Sequence, residues 1–237
     1  MTKVTAIVSA YFSEPYLQGR LKDLDAQGLG DDLQIIVVCQ AGSVDEEIAF
    51  AYLRESATPE RILIVSTLDV PTVYGAWNLG IEPAKGDYIT NANSDDRLMP
   101  GALKAMADAL DTHPRYAVAY TNINRVLEIG GSPEGVFEWI EGGLKELFWQ
   151  GCFLGPMPMW RRSLHAKYGL FDPRLRSAGD LDFWMRLANG GEKFFHIPCV
   201  YGDHLERLDA LEHREPVRAI VEVARIKAKY RAKMVQV

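Results

Sequence analysis

Residues Gly75 to Met106 read GAWNLGIEPAKGDYITNANSDDRLMPGALKAM, and this stretch decides how the rest of the chain is read. A helix is predicted over Pro71–Ile81, opened by a proline whose missing N–H would be unpaired there anyway. A short β-rich strand follows at Asp87–Asn91, and a second proline-opened helix at Pro100–Leu110. Between them lies Asn91-Ala92-Asn93-Ser94-Asp95-Asp96. In an open α/β sheet, a loop past the carboxyl end of a strand is where ligands bind. Two adjacent carboxylates in it suit Mg²⁺ or Mn²⁺, which take one or two protein carboxylates plus substrate phosphates. The same pair also suits the first turn of a helix, where acids meet free N–H groups and the positive end of the dipole. On these residues alone both readings stand.

Outward from this stretch, strand patterns at Val4–Ala10, Leu33–Cys39 and Arg61–Ser66 alternate with helical patterns at Pro15–Gln27 and Val44–Glu55. That alternation predicts βαβ units and a largely parallel sheet. After His113-Pro114 the pattern changes. Tyr116–Val126 reads as one or two strands, Gly130–Pro133 as a turn, Arg161–Tyr168 and Asp180–Ala188 as helices, Lys193–Ile197 as a strand and Glu215–Lys233 as a long final helix. Val136–Gly155 is rich in aromatics and glycine and fits neither period. The expected division is residues 1–115, 116–213 and 214–237, within one continuous domain.

The chain has 237 residues, 48% of them hydrophobic, enough for a sizeable core. A net charge of -6 argues against general nucleic-acid binding. The charge is uneven, because Arg214–Val237 carries seven Lys or Arg against two Glu. Three cysteines, Cys39, Cys152 and Cys199, form no C-x-x-C pair and point to a reducing compartment. Neither a signal-peptide pattern nor an apolar run of about 18 residues is present. The expected location is the cytoplasm, extending to the inner face of the membrane. The final helix combines an apolar stripe (Val217, Ile220, Val221, Ala224, Ala228) with a basic face (Arg218, Arg225, Lys229, Lys233). It reads as a docked surface helix, a peripheral contact with an anionic membrane, a homodimer contact or a seat for a polyanionic acceptor.

Gly75–Met106 resembles the centre of family-two glycosyltransferases, whose loose pattern is A-R-N-x-G-I-x-x-A-x-G-x-Y-I-x-x-L-D-x-D-D-x-x-x-P-x-A-L. Tyr11–Leu17 (YFSEPYL) resembles the family's first turn and helix, and Gly42-Ser43-Val44-Asp45 its G-S-x-D turn. Gly155–Leu164 and Gly169-Leu170-Phe171-Asp172 continue the likeness, which covers roughly residues 3 to 200. The resemblance implies a GT-A fold: α/β, Rossmann-like, with a mixed, mainly parallel sheet flanked by helices and an acceptor-side C-terminal half. It implies an EC 2.4 transferase using a UDP- or GDP-sugar with Mn²⁺ or Mg²⁺. By position Asp95 is the metal carboxylate, Asp96 the adjoining acid, and Asn93 stands where the first Asp of D-x-D is usual. Ala10, Tyr11, Glu14, Gln40 and Asn78 are the further implied donor contacts, and His204, with His213 as a second choice, the late metal histidine. The acceptor it implies is a lipid-linked or other glycan, or a protein.

Ser177–Leu187 (SAGDLDFWMRL) resembles the family's E-D-W-x-x-W-x-x-R segment. Asp180 falls on the general base, Gly179 replaces the Glu, and attack opposite the nucleotide would invert the anomeric centre. Read as residues alone, Ser177-x-x-Asp180 is a capping box, and Asp182 with Arg186 an i,i+4 ion pair. Trp160 and Trp184 are placed on the acceptor side, with burial in the core as the other reading of Trp184.

Departures at Cys39/Gln40, Asn93 and Gly179 motivate a second reading, a degenerate sugar-nucleotide-binding or scaffolding protein. A sugar-phosphate nucleotidyltransferase would need a glycine-rich basic loop after the first strand, and Ser9–Glu14 supplies none. The G-x-G-x-x-G of a dinucleotide oxidoreductase is also missing.

Overall fold

A computed structural model describes residues 3–69, 72–207 and 215–234. The first half follows the sequence pattern. Strands β1 (Val4–Ala10), β2 (Leu33–Gln40), β3 (Ile62–Thr67) and β4 (Tyr88–Asn91) lie parallel in the order β3-β2-β1-β4. Helices α1 (Leu17–Asp25), α2 (Val44–Glu55) and α3 (Val73–Ile81) connect them. Strand side chains alternate between faces, and here the alternation feeds two cores. Ile7, Ile36 and Val38 pack with α3, whereas Val4, Ala6, Val8, Ile35 and Val37 pack with the leucines of α1. A strand buried on both faces reads as an unbroken apolar run, as LQIIVVC does.

The second half completes the same sheet. After β5 (Arg97–Leu98) and α4 (Ala102–Thr112) come β6 (Tyr116–Val126), β7 (Gly135–Phe137), α5 (Leu144–Gln150), β8 (Met159–Arg161), α6 (Leu164–Tyr168), α7 (Gly179–Asn189) and β9 (Lys193–Leu205). Two C-terminal helices, α8 (Pro216–Ala228) and α9 (Arg231–Met234), follow. The strand order is β3-β2-β1-β4-β8-β6-β9-β5, with β7 on β6. Strand β8 runs antiparallel between β4 and β6, so the sheet passes through residue 115 without a gap.

Three expectations need correcting. The helix predicted over Arg161–Tyr168 is the end of β8 followed by the short α6. The predicted Lys193–Ile197 strand extends to Leu205. Pro198 cannot donate to a ladder, and the strand passes it by slipping register, so that Thr121 faces Ile197 but Asn122 faces Val200. The final helix breaks after Ala228, and its docked face is Glu222, Ile226 and Tyr230, not the predicted stripe. Val217, Ile220 and Val221 face outward. Among the described residues, no helix is long and apolar enough to cross a membrane.

Candidate functional site

The carboxyl ends of β1, β2 and β4 meet at one edge. Gly42 takes φ +73°, which only glycine adopts freely, and delivers the chain to Ser43. Ser43 Oγ caps α2 by accepting the Glu46 N–H at 3.2 Å. Two residues on, buried Asp45 accepts the Ser13 N–H at 3.0 Å, and the Ser94 and Ser13 hydroxyls are 2.9 Å apart. The G-S-x-D turn, the loop after β1 and the loop after β4 are thereby joined. From behind, Arg97 Nη1 donates to the carbonyls of Ser94 (2.8 Å) and Asp96 (2.6 Å), and its Nη2 to the Tyr16 carbonyl at 3.1 Å. Fully buried Arg20 pairs with Asp23 at 2.6 Å on the same side.

This clamp sends the two adjacent carboxylates in different directions. Asp96 is only 1% exposed, and its Oδ1 lies 2.8 Å from His204 Nδ1 at the end of β9. Its Oδ2 accepts the Asn93 amide at 3.3 Å. Asp96 thus faces inward and pairs with His204, whereas Asp95 takes the open side. Asp95 stays partly exposed, 3.2 Å from Arg207 Nη1, and that guanidinium also lies over the Tyr16 ring at 4.9 Å. Burial, then the neighbouring Asp96 charge, push the Asp95 carboxyl above its ordinary pKa. His213 lies outside the described residues.

Ala10 is buried at the end of β1, while Tyr11, Glu14 and Gln40 are exposed at the same edge. Phe12 has φ +51°, a strained value for a bulky residue, and is 4.5 Å from the Tyr11 ring. Asn78 has a different job from the one expected. Its amide donates to the Phe171 carbonyl (2.8 Å) and accepts the Phe171 N–H (3.0 Å), pinning α3 to the loop before α7.

Asp180 sits in the first turn of α7, where Tyr74 Oη donates to its Oδ1 at 3.1 Å. Burial raises its carboxyl pKa, opposed by the Leu181 N–H, the Tyr74 hydroxyl and the Cys152 thiol. Burial likewise holds the Tyr74 phenol and the Cys152 thiol well above their usual values, so both remain protonated donors. Gly179 is where the Tyr74 ring needs room: a Cβ there would lie 2.5 Å from its Cδ2. The capping box does not form. The N-cap is Ala178 with no side-chain cap, and Ser177 Oγ is buried without a partner. The Asp182–Arg186 pair does form, at 3.0 Å.

Trp160 (0% exposed) and Trp184 (1%) are core residues packed ring to ring at 5.6 Å. That overturns their expected acceptor role, because β8 and α7 turn both rings into the interior. An aromatic that does reach the surface beside His204 is Phe137, 37% exposed on β7. It stacks on Trp139 at 5.4 Å and meets the His204 ring at 6.4 Å. Sequence reading missed Tyr74, Cys152, Phe137 and Arg207. Only Tyr74 left a trace, in the glycine at 179 where the pattern that this segment resembles has a Glu.

The model of glycosyl transferase family 2 matches residues 5–168. This chain belongs to glycosyl transferase family 2. The YwdF glycosyltransferase of Bacillus subtilis (strain 168) is 26% identical over 202 residues, covering 84% of this chain and 72% of that protein. Among solved structures, S. aureus TarS 1-349 in complex with UDP-GlcNAc superposes with a TM-score of 0.76 at 21% identity, over 96% of this chain and 66% of that one. The mannosyltransferase PcManGT from Pyrobaculum calidifontis, in complex with GDP-Man and Mn2+, gives 0.68 at 16% identity, over 94% and 64%. At these identities the likeness is one of fold, and this family-2 chain spans slightly under two thirds of either solved chain. The mixed α/β, GT-A-like architecture implied by the sequence is the one observed.

Proposed function

We propose that this family-2 chain transfers a sugar from a UDP- or GDP-linked donor to an acceptor hydroxyl, with inversion and with a divalent cation at Asp95. The observation that carries the reading is Asp180, a half-buried residue whose carboxylate is held by Tyr74 and whose pKa is raised by burial. A general base is most effective with a pKa near the operating pH. Asp180 takes the acceptor proton, the freed oxygen attacks the anomeric carbon, and the bond to the nucleoside diphosphate breaks with its electron pair.

Among the described residues no three His, Cys, Asp or Glu side chains converge as a metal cluster. A hard cation bound chiefly through donor phosphates needs fewer, and the donor set present fits it: Asp95, with His204 held by Asp96. When bound, the cation acts as a Lewis acid on the diphosphate. Arg207 brings a second positive charge beside Asp95. Tyr11, Glu14 and Gln40 border the place of the nucleoside, Asn93 offers a neutral amide toward ribose, and Phe137 offers a flat face to an acceptor sugar. The test is a panel of UDP- and GDP-sugars with Mn²⁺, read as released nucleotide and as thermal shift. Nucleotide release with Asp180→Asn at the wild-type rate would remove Asp180 as base; binding of a donor with no turnover for any acceptor would favour the non-enzymatic reading.

A further inference from the structure

Helix α7 lacks a cap from its own segment, yet the turn that delivers Asp180 is not loose. The anion at its N-terminal side comes from α8, more than forty residues further along the chain. Glu222, 7% exposed, accepts the Arg176 N–H on Oε1 at 3.0 Å and on Oε2 at 3.1 Å, the Ser177 N–H at 2.9 Å and the Ala178 N–H at 3.2 Å. Three consecutive amides converging on one carboxylate form an anion nest, placed where the helix dipole also favours negative charge. Around it, Lys229 of the same C-terminal segment donates to Asp182 at 2.6 Å, and Ile226 packs into the core beside α7. The terminal helix thus grips α7 at two carboxylate contacts that bracket Asp180 in sequence.

We infer that Glu222 is a positioning residue for Asp180: its carboxylate fixes the 176–178 turn and so sets where the base stands. The inference rests on Asp180 being the base. It also assigns the terminal helix a part in the reaction rather than only a part in docking. A fixed turn matters because proton transfer demands a base within hydrogen-bond reach of the acceptor hydroxyl, and small displacements cost large factors in rate. The donor loop hangs from β1, β2 and β4 and does not touch Glu222, so donor binding should be insensitive to it.

The experiment uses the full chain with Glu222→Gln, which keeps the shape, Glu222→Ala, and Glu222→Asp as the conservative rescue. The expected result is a fall in kcat of at least tenfold for Gln and Ala, with donor KM and the number of UDP- or GDP-binding sites within twofold of wild type, and partial recovery in Asp. A merely structural role would lower the binding-competent fraction and leave kcat per site unchanged, and that result would overturn the inference. Amide exchange of the 174–182 segment is measured in parallel and should speed at least tenfold in Glu222→Gln; unchanged exchange would overturn it as well. Should the wild type transfer no sugar, the proposed function fails on its own, while the exchange measurement still decides whether Glu222 fixes the turn.

Discussion

Placing an alanine at Gly179 tests how the base is seated. The new Cβ would meet Tyr74 Cδ2 at 2.5 Å, Cγ at 2.6 Å and Cε2 at 2.8 Å, distances that real Cβ atoms essentially never show. The ring has nowhere to go, being edge-on to Trp77 at 5.2 Å, stacked on Phe171 at 6.2 Å and tied to Asp180 at 3.1 Å. Overpacking of this kind costs about 1–3 kcal/mol. Loss of the Tyr74–Asp180 hydrogen bond, one with a charged acceptor, adds roughly 1.5–3 kcal/mol. Against this, helix propensity favours alanine over glycine by less than about 1 kcal/mol. Gly179→Ala should therefore destabilise by about 1.5–6 kcal/mol and lower transfer by displacing Asp180. In a Tyr74→Ala background the ring is gone, and the same change should be neutral or slightly stabilising. Urea unfolding of the four proteins of this double-mutant cycle gives the coupling directly. If Gly179→Ala costs the same in both backgrounds, the steric account of Gly179 is wrong.

Other outcomes follow from the same geometry. Asp95→Ala should abolish the Mn²⁺ dependence of turnover, and His204→Gln should weaken Mn²⁺ without abolishing nucleotide binding; an unchanged Mn²⁺ titration in both would refute the assigned donor set. Because burial raises the folded pKa of Asp180, the stabilisation from its protonated form is present below the unfolded value and lost as pH rises through the folded one. Asp180→Asn should thus unfold at a higher temperature than wild type at neutral pH, the two converging in acid, and the acid limb of wild-type transfer should lie above the ordinary carboxylate range of about 4. Trp184→Ala should cost roughly 3–5 kcal/mol of stability, whereas Phe137→Ala should leave thermal unfolding nearly unchanged and raise the acceptor KM severalfold.

The fold was largely legible because its strands and helices carry local signals: the unbroken apolar run of β2, the strand–helix alternation of the first half, the proline before α4. The acidic loop was legible for the same reason, as a local pattern after a strand. What escaped were long-range pairings. Glu222 reads as one acid on a basic helix, and nothing near it in sequence points to the amides of residues 176–178. Ser177-x-x-Asp180 has the letters of a capping box, but Glu222 and Tyr74 claim the turn and the carboxylate, and tertiary partners override the local motif. Trp184 was placed toward an acceptor because helical periodicity identifies a face shared with Asp180 without saying whether that face meets solvent or the core, and Trp160 was placed there by the family resemblance of its segment alone.

The unbroken sheet has a mechanical consequence. Among the described residues, strand β8, contributed from the far side of residue 115, joins β4 to β6 and is hydrogen-bonded to both. The two halves cannot rock about a hinge without tearing that ladder, so any opening and closing around substrates falls to the loops at the strand ends. A chain severed at residue 115 would leave β4 with a bare edge on one fragment and β8 with a bare edge on the other, and would also part β5 from β9. Each fragment would expose an unpaired apolar strand, the usual template for aggregation, and only co-expression of both should restore a soluble protein.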